Sequence, residues 1–154
     1  MSNIRTRTGD LGQTDIKSQR VYKDSDIVKL IGDLDETMAY FILAHSLKPD
    51  DIEGFEEVVH DLILISAIIA GYSSIEKFPE SKVLELENEI VLRGESIADF
   101  TYPFDNTFKA YMNVLRTVIR RAERQAYATL REEEYGIIKT YLNALSDYVF
   151  TYIK

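Results

Sequence analysis

The chain has 154 residues, of which 45% are hydrophobic and 29% charged, as expected for one soluble domain with a substantial core. Its formal net charge of −8 argues against sequence-independent binding of nucleic acid, and its apolar runs are too short to span a membrane. It has no cysteine, which excludes disulfides, thiolate catalysis and cysteine-ligated metals, and its first seven residues lack the apolar segment of a secretory signal. We expect a cytoplasmic protein that binds neither membranes nor nucleic acid.

The first 23 residues show no helical period and are predicted to form a non-helical segment. Glycine and threonine are concentrated between Thr6 and Thr14, which indicates a turn-rich loop. Glycine lets backbone amides approach a phosphate closely, hydroxyl groups add donors, and arginine adds positive charge. The candidates for such contacts are Thr6, Arg7, Thr8, Gly9, Gly12 and Thr14. Because no Gly-Lys-Ser/Thr follows, this is not a Walker motif, and a plain turn is the alternative interpretation.

Apolar residues then recur at helical spacing in five segments separated by short connections. The predicted helices run from a cap at Asp24 or Ser25 to Lys48, from Asp50 to about Gly71, from Pro79 through Ile97, from Thr107 to Glu132, and from Glu134 to the end. The apolar stripe of the third helix comprises Val83, Leu84, Leu86, Ile90, Val91 and Ile97. This pattern predicts an all-α five-helix bundle that occupies residues 1–154 as a single domain.

The fourth predicted helix carries four arginines and one glutamate between Arg116 and Arg124, in an otherwise acidic chain. Each helical residue turns by about 100°, so Arg116, Arg120 and Glu123 share one side at the rim of the apolar stripe. Arg121 points away and is predicted to be an ordinary solvated residue. Paired guanidinium groups at such a rim suit phosphate or carboxylate, because each presents several donors in a plane. The alternative is a solvated helix with intrahelical ion pairs.

Polar residues on the first and last helices are further candidates. Asp35 borders the apolar stripe of the first helix, where a carboxylate needs a partner, and an arginine of the fourth helix is the candidate. Its neighbours Asp33 and Glu36 are predicted to face outward as solvated charges. On the last helix, Asn143 and Asp147 lie four residues apart, so they share a face and either contact a ligand or join two helices.

Two other chemistries find little support in the sequence. Glu57 and His60 have the Glu-x-x-His spacing of di-iron bundles, but the only other histidine, His45, has Ile42 three residues before it. Serine nucleophile chemistry would need a general base, and two histidines without evident partners offer few. The residues therefore favour a bound anion over a di-iron centre or a serine nucleophile.

Taken together, these segments resemble the PduO-type ATP:cob(I)alamin adenosyltransferase family. They occur in the family's order and at compatible spacing. The matching stretches are Thr6–Thr14, Arg20–Asp24, Gly32–Glu36, Arg116–Arg124 and Tyr141–Asp147. The arginine run together with the first loop carries most of the resemblance.

The resemblance implies a five-helix bundle that assembles as a homotrimer, with active sites between neighbouring subunits. It implies transfer of the 5′-deoxyadenosyl group of ATP to the cobalt of cobalamin, with release of triphosphate and assistance by Mg²⁺. It also implies, as partners, a reductase or an adenosylcobalamin-dependent enzyme. Cob(I)alamin is itself the nucleophile, so the protein needs only to position, desolvate and neutralise charge.

The resemblance further implies roles for individual residues around ATP. The loop Thr6–Thr14 would hold the triphosphate, and Lys23 would lie close to it. The residues Arg120, Glu123 and Asn143 would contact ATP or its metal, with Glu123 as the metal ligand.

On the corrinoid side, the resemblance implies two features. Asp35 and Arg116 would form a salt bridge between subunits beside the corrinoid. Phe100 would displace the lower ligand of cobalt, because a hydrophobic wedge excludes the axial base and eases reduction to cob(I)alamin.

The chain departs from the family pattern at several positions. In the first loop, Leu11 replaces the family's lysine, and Asp15–Ser18 replaces the glycine-rich turn that follows. Met38 replaces the asparagine after Asp-Glu-Leu, and Pro103–Asp105 replaces the Pro-Gly-Gly turn. On the last helix, Ala144 replaces the arginine that follows the asparagine. The chain also ends at Lys154, before the family's C-terminal tail. Each lost ionic hydrogen bond would weaken ATP binding by roughly 1.5–3 kcal/mol. Two alternatives to an active enzyme follow: a non-catalytic relative that binds nucleotide or corrinoid, and a purely structural helical trimer.

Overall fold

The computed structural model describes residues 3–17, 19–47, 52–94 and 101–154. Within these ranges the chain forms a β-hairpin followed by five α-helices, which confirms the predicted helical bundle. The elements are β1 (Gln13–Ile16), β2 (Gln19–Tyr22), α1 (Asp26–Leu47), α2 (Phe55–Ile69), α3 (Ser81–Arg93), α4 (Thr107–Thr129) and α5 (Gly136–Phe150). Short 3₁₀ turns at Ile75–Lys77 and Glu133–Tyr135 precede α3 and α5.

The hairpin is the element that the sequence prediction lacked. Its strands are antiparallel, with Gln13 opposite Tyr22 and Ile16 opposite Gln19. Lys17 has a φ of 25°, in the left-handed region that a tight reversal between strands requires. The side chain of Lys17 lies against Gly71, just after α2, so the tip of the hairpin rests on the bundle.

The helix boundaries agree with the prediction for α1 and α4 to within a few residues. The prediction is wrong for α2, which begins at Phe55 instead of Asp50. Gly54, at the N-cap of α2, has a φ of 95°, a backbone conformation that glycine adopts without the strain that a Cβ would add. Asp50 itself lies outside the described residues.

The core forms where α4 packs between α1 and α5. The fully buried apolar side chains of these three helices include Leu30, Leu34, Phe41, Leu115, Ile119, Leu142 and Leu145. On α3, Val83 and Leu86 are buried, but Leu84 and Val91 are more than half exposed, so the predicted stripe was too wide. The predicted helix was also too long, because α3 ends at Arg93; Ile97 lies outside the described residues. None of the helices in the described ranges has the length and apolar character that crossing a bilayer requires.

One polar cluster lies inside the bundle, between α2, α3 and α5. The hydroxyl of Tyr141 donates to Asp61 Oδ2 at 3.1 Å, and Lys82 Nζ lies 3.1 Å from Asp61 Oδ1. Burial, followed by the charge of Asp61, raises the pKa of Tyr141 well above its usual range, so the phenol stays neutral and acts as a donor. We call these three residues the Asp61 cluster.

Candidate functional site

The loop that precedes the hairpin folds into two successive turns. The N–H of Asp10 donates to Arg7 O, and the N–H of Gly12 donates to Gly9 O, each at 3.2 Å. Arg7 and Gly12 have φ values of 63° and 82°, so the chain reverses twice within six residues. The hydroxyl oxygens of Thr6 and Thr8 lie 2.9 Å apart at the surface. The turns bring backbone amides and two hydroxyl groups to one exposed loop, as phosphate binding requires.

Lys23 lies against this loop. Its backbone N–H donates to Gly12 O at 2.9 Å. Its ammonium group lies over Gly9, because a Cβ placed on Gly9 would come within 2.9 Å of Lys23 Nζ. The family resemblance implies that Lys23 lies close to this loop, and in the folded chain its ammonium group is next to the loop.

Asp35 lines a groove of about 400 Å³ between the hairpin, α1 and α2. The groove is mainly apolar, and its lining includes Thr14 from β1, Ile31 and Met38 from α1, and Ser66 from α2. Among the described residues, no lysine or arginine forms an ion pair with Asp35. The arginine of α4 that reaches α1, Arg121, contacts the other side of the helix, at Asp33 and Glu36.

The rim of α4 carries Arg116, Arg120 and Glu123, as predicted. Arg120 Nη1 lies 3.6 Å from Glu123 Oε2, and their side chains are 49% and 13% exposed. The half-buried Arg116 donates from Nε to Asn113 Oδ1 at 3.2 Å. The intrahelical pair that was the alternative interpretation is therefore present, but it is loose, and half of the Arg120 side chain remains open to a ligand.

The polar face of α5 meets this rim. Burial raises the pKa of Asp147, and the positive charge of Arg120 opposes that shift. The carboxylate of α5 and the guanidinium group of α4 therefore interact electrostatically. Asn143, one turn earlier on α5, is exposed. Asp147 was noted in the sequence only as a partner of Asn143 on one face, because helical spacing cannot tell which neighbouring helix approaches that face.

Arg121 differs from its prediction as an ordinary solvated residue. Its Nε donates to Asp33 Oδ1 at 3.0 Å, and its Nη2 pairs with Glu36, so it links α4 to α1. The hydrogen bond with Asp33 is the largest cause of a raised pKa for Arg121. The prediction that Asp33 is a solvated charge was wrong, because its side chain is only 18% exposed, whereas that of Glu36 stays 42% exposed. Both carboxylates pair with Arg121 because the outer side of α4 faces α1 at that position.

Three further positions bear on the expectations. Phe100 lies outside the described residues, so its role stays a prediction. Phe104 is 96% exposed in the single chain, so it gives no support to the purely structural alternative, for which a pocket filled by this side chain was expected. Ala144 is buried against the core, and an arginine there would have to leave the interior. The described ranges contain no cluster of three or more His, Asp or Glu side chains that could hold a metal ion.

The single chain presents the candidate site as two separate parts. One is the loop Thr6–Thr14 with Lys23, and the other is the rim of α4 and α5 with Arg120, Glu123 and Asn143. Within the part of the chain that the structure describes, no hydrogen bond or ion pair joins the two. Each part has donors for an anion.

The fold defines a helical-bundle protein with two polar surfaces that are candidates for binding an anion. The cobalamin adenosyltransferase family model matches residues 4–154, and the chain belongs to that family. It is 31% identical to a corrinoid adenosyltransferase of Bacillus subtilis, over 96% of this chain and 82% of the relative. It is 32% identical to a cobalamin adenosyltransferase of Cupriavidus metallidurans, over 97% and 85% of the two chains.

Solved structures give the same result for the fold. A phenylalanine-to-alanine variant of the PduO-type ATP:corrinoid adenosyltransferase from Lactobacillus reuteri, complexed with cobalamin and ATP, superposes with a TM-score of 0.86. The two sequences are 26% identical, and the match covers 98% of this chain and 91% of the other. An arginine-to-lysine variant of the same enzyme, complexed with ATP, gives a TM-score of 0.81 at 27% identity.

Proposed function

We propose that this protein is an ATP:cob(I)alamin adenosyltransferase that transfers the 5′-deoxyadenosyl group of ATP to cobalt and releases triphosphate. The observation that carries the proposal is the family match over residues 4–154. The placement of the Lys23 ammonium group over Gly9 supports it, because the loop then offers positive charge beside its backbone amides.

The reaction needs no protein nucleophile. The electron pair of cob(I)alamin forms the bond from cobalt to C5′ of ATP, and the bond from C5′ to the triphosphate oxygen breaks, so the triphosphate leaves with its electron pair. Negative charge accumulates on the leaving oxygen, and donors aimed at that charge lower the barrier. The protein therefore contributes position and positive charge, which matches a site rich in arginine and lysine and poor in general bases.

The residues divide this work between the two parts of the site. In the proposal, Thr6, Thr8 and the backbone of the loop donate to the triphosphate, and Lys23 neutralises part of its charge. Arg120 supplies a guanidinium group from the opposite side, and Asn143 supplies an amide. The half-exposed Arg120 side chain is held at 3.6 Å from Glu123, and this looseness leaves its donors accessible.

Magnesium fits this arrangement as a companion of the nucleotide. Mg²⁺ usually binds through one or two carboxylates together with substrate phosphates, and Glu123 offers a largely buried carboxylate of that kind. When bound, the ion would neutralise phosphate charge. Glu123 would hold it on the protein side, beside the guanidinium group of Arg120.

The proposal includes a homotrimer in the cytoplasm. Asp35 makes no ion pair among the described residues of its own chain, and Arg116 is half-buried on a different helix, so a bridge between Asp35 and Arg116 would join two subunits. The same contact would bring the loop of one subunit to the rim of the next. Phe100 is the residue proposed to displace the lower ligand of cobalt. A reductase that supplies cob(I)alamin, or an enzyme that uses adenosylcobalamin, is the proposed protein partner.

The test is to incubate the protein with ATP, Mg²⁺ and chemically reduced cobalamin. Formation of adenosylcobalamin is monitored by absorbance, and the released triphosphate is measured separately. We expect one triphosphate per adenosylcobalamin. Omission of ATP is the control for non-enzymatic reoxidation. If purified protein neither forms product nor binds ATP, the proposed activity is wrong.

One observation favours a second function, which is binding of nucleotide without turnover. Leu11 occupies the position of the family's loop lysine and is 91% exposed, so it offers an apolar side chain where a phosphate contact is expected. Calorimetry that shows ATP affinity in a protein with no turnover would favour this function. Normal turnover would exclude it.

The bridge between subunits has its own test. Arg116→Ala should lower both activity and the fraction of trimer in sedimentation experiments, because Asp35 would stay partly desolvated without a partner. The charge-exchanged pair Asp35→Arg with Arg116→Asp should recover the trimer that either single change loses. If Arg116→Ala sediments and turns over like the wild type, the assigned pairing is wrong.

A further inference from the structure

Arg20 of β2 makes three hydrogen bonds on one face of the hairpin. It lies directly opposite Asp15 in the strand register, and its Nη1 donates to Asp15 Oδ1 at 3.1 Å. Its Nε donates to Gln13 Oε1 at 3.3 Å. Its Nη2 donates to the backbone carbonyl of Thr8, twelve residues earlier in the chain. One guanidinium group thus joins both strands to the loop in front of them.

The contact with Thr8 falls at a critical position in the loop. Thr8 follows Arg7, whose left-handed backbone makes the first reversal, and precedes Gly9, over which Lys23 lies. At its other end the loop is fixed by the backbone of Lys23, which donates to Gly12 O. The loop is therefore held at Thr8 by Arg20 of β2 and at Gly12 by the backbone of Lys23, the residue after β2.

We propose that Arg20 is a positioning residue that holds the loop Thr6–Thr14 in its binding conformation before the nucleotide arrives. This inference rests on the proposed role of that loop in binding the triphosphate. A loop ordered in advance binds more tightly because the cost of immobilising it does not fall on the binding step.

Exposure separates this role from a purely structural one. The side chains of Arg20 and Asp15 are 41% and 64% exposed, and ion pairs this open contribute little to folding stability. The contribution of Arg20 to folding stability should therefore be small. Its hydrogen bond to Thr8 can still hold the loop in one conformation, because that restraint does not require burial.

The geometry favours positioning over direct phosphate binding, because three of the five N–H donors of Arg20 are directed at protein acceptors. Arg20 directs Nε, Nη1 and Nη2 at three protein acceptors in fixed directions. Lysine has one ammonium group on a flexible stem and cannot span the three acceptors, so the planar fork of arginine is needed here. By contrast, the ammonium group of Lys23 lies over the loop itself, where a phosphate would bind.

The experiment measures ATP affinity by calorimetry with Mg²⁺ present, and separately KM and kcat in the adenosylation assay. For Arg20→Ala we expect the Kd and KM for ATP to rise about tenfold, with kcat within about twofold and KM for the corrinoid unchanged. The melting temperature should stay within about 2 °C of wild type. Arg20→Lys should recover only part of the affinity.

A matched change distinguishes positioning from direct contact. Asp15→Ala removes an acceptor of Arg20 and leaves its charge free, so under positioning it should raise the Kd for ATP by severalfold. The double variant should then be no weaker than Arg20→Ala alone, because both act on one contact. If Asp15→Ala leaves ATP affinity unchanged or improves it, Arg20 binds phosphate directly, and the inference is wrong.

Failure of this inference is distinguishable from failure of the proposed function. Wild-type protein that forms adenosylcobalamin, with Arg20→Ala binding ATP equally well, overturns the positioning role and leaves the activity intact. Wild-type protein that binds ATP without turnover overturns the activity, while a tenfold weaker Kd in Arg20→Ala still supports the positioning role. Wild-type protein that does not bind ATP overturns both.

Discussion

Lys23 lies over Gly9 so closely that a single added carbon on Gly9 would come within 2.9 Å of its amine nitrogen. Gly9→Ala should therefore displace the ammonium group from the loop and weaken ATP binding about three- to tenfold, because a charge-assisted contact moves away. Folding stability should change by less than about 0.5 kcal/mol, since the group that moves is the far end of a flexible side chain. Calorimetry with Mg²⁺-ATP and a thermal melt test the two effects.

The control for that change is Gly136→Ala. A Cβ at Gly136, the first residue of α5, meets nothing within 4 Å, and its φ of −54° suits any residue. It should leave ATP affinity unaltered. Equal ATP affinity for Gly9→Ala and the wild type would show that the Lys23 amine does not act in binding.

Leu11 offers a gain-of-function test. Its side chain is 91% exposed on the loop, so a lysine fits there without repacking. Leu11→Lys should lower the KM for ATP by about tenfold, which corresponds to about 1.4 kcal/mol of added ionic contact. The gain should shrink as salt increases, because the contact is exposed. Leu11→Gln, which adds polarity without charge, should not reproduce it. An unchanged KM in Leu11→Lys would mean that the loop tip lies away from the triphosphate.

Tyr141 tests the polar interior. Tyr141→Phe removes the donor to Asp61 and leaves the carboxylate with Lys82 alone, which should cost about 1–2 kcal/mol and lower the Tm by about 3–6 °C. Tyr127→Phe is the matched change at an exposed tyrosine of α4 and should stay within about 0.5 kcal/mol. Both variants should retain the wild-type KM for ATP. A stability for Tyr141→Phe as high as that of Tyr127→Phe would contradict the importance of the hydrogen bond.

Asp147 should make stability depend on pH. Burial raises its pKa in the folded chain above the ordinary value of 3.8, so the folded state holds this proton more tightly than the unfolded state. The resulting stabilisation is present below the ordinary pKa and is lost as the pH rises through the folded pKa. Because Asp147 is exposed at the surface, the effect on stability is small: Asp147→Asn should raise the Tm at pH 7 slightly and lose that advantage below about pH 3.

Arg120 provides the control for this pH effect. Its positive charge opposes the shift, so the gain from Asp147→Asn should be larger in an Arg120→Ala background. Thermal melts from pH 3 to pH 8 give the dependence of Tm on pH for the wild type, the two single variants and the double variant. An equal gain in both backgrounds would show that Arg120 and Asp147 do not interact.

Much of the fold could be predicted because helical spacing alone marks long amphipathic segments. The ends of α1 and the start of α4, where Asn106 caps the helix by accepting from the N–H of Lys109 at 2.9 Å, follow from local residue types. The hairpin could not, because four-residue strands rich in polar residues give too short an alternation.

The candidate site was predictable only one element at a time. The spacing of Arg116, Arg120 and Glu123 placed them on one rim correctly. It could not show that Arg121 faces Asp33 and Glu36, because periodicity gives the direction of a side chain and not the neighbour that covers it. The same limit applies to Arg20, whose link to Thr8 depends on the register of a hairpin that the sequence does not reveal.

Tyr141 and Asn143 stand two positions apart on α5 and point about 200° away from each other. The first is sealed in the interior, while the second belongs to the open surface. Substitutions on the outward side of α5 can consequently change ligand affinity or abolish turnover, while the buried residues on the inward side maintain the fold. Divergent members of such a family would then remain folded long after their chemistry has changed.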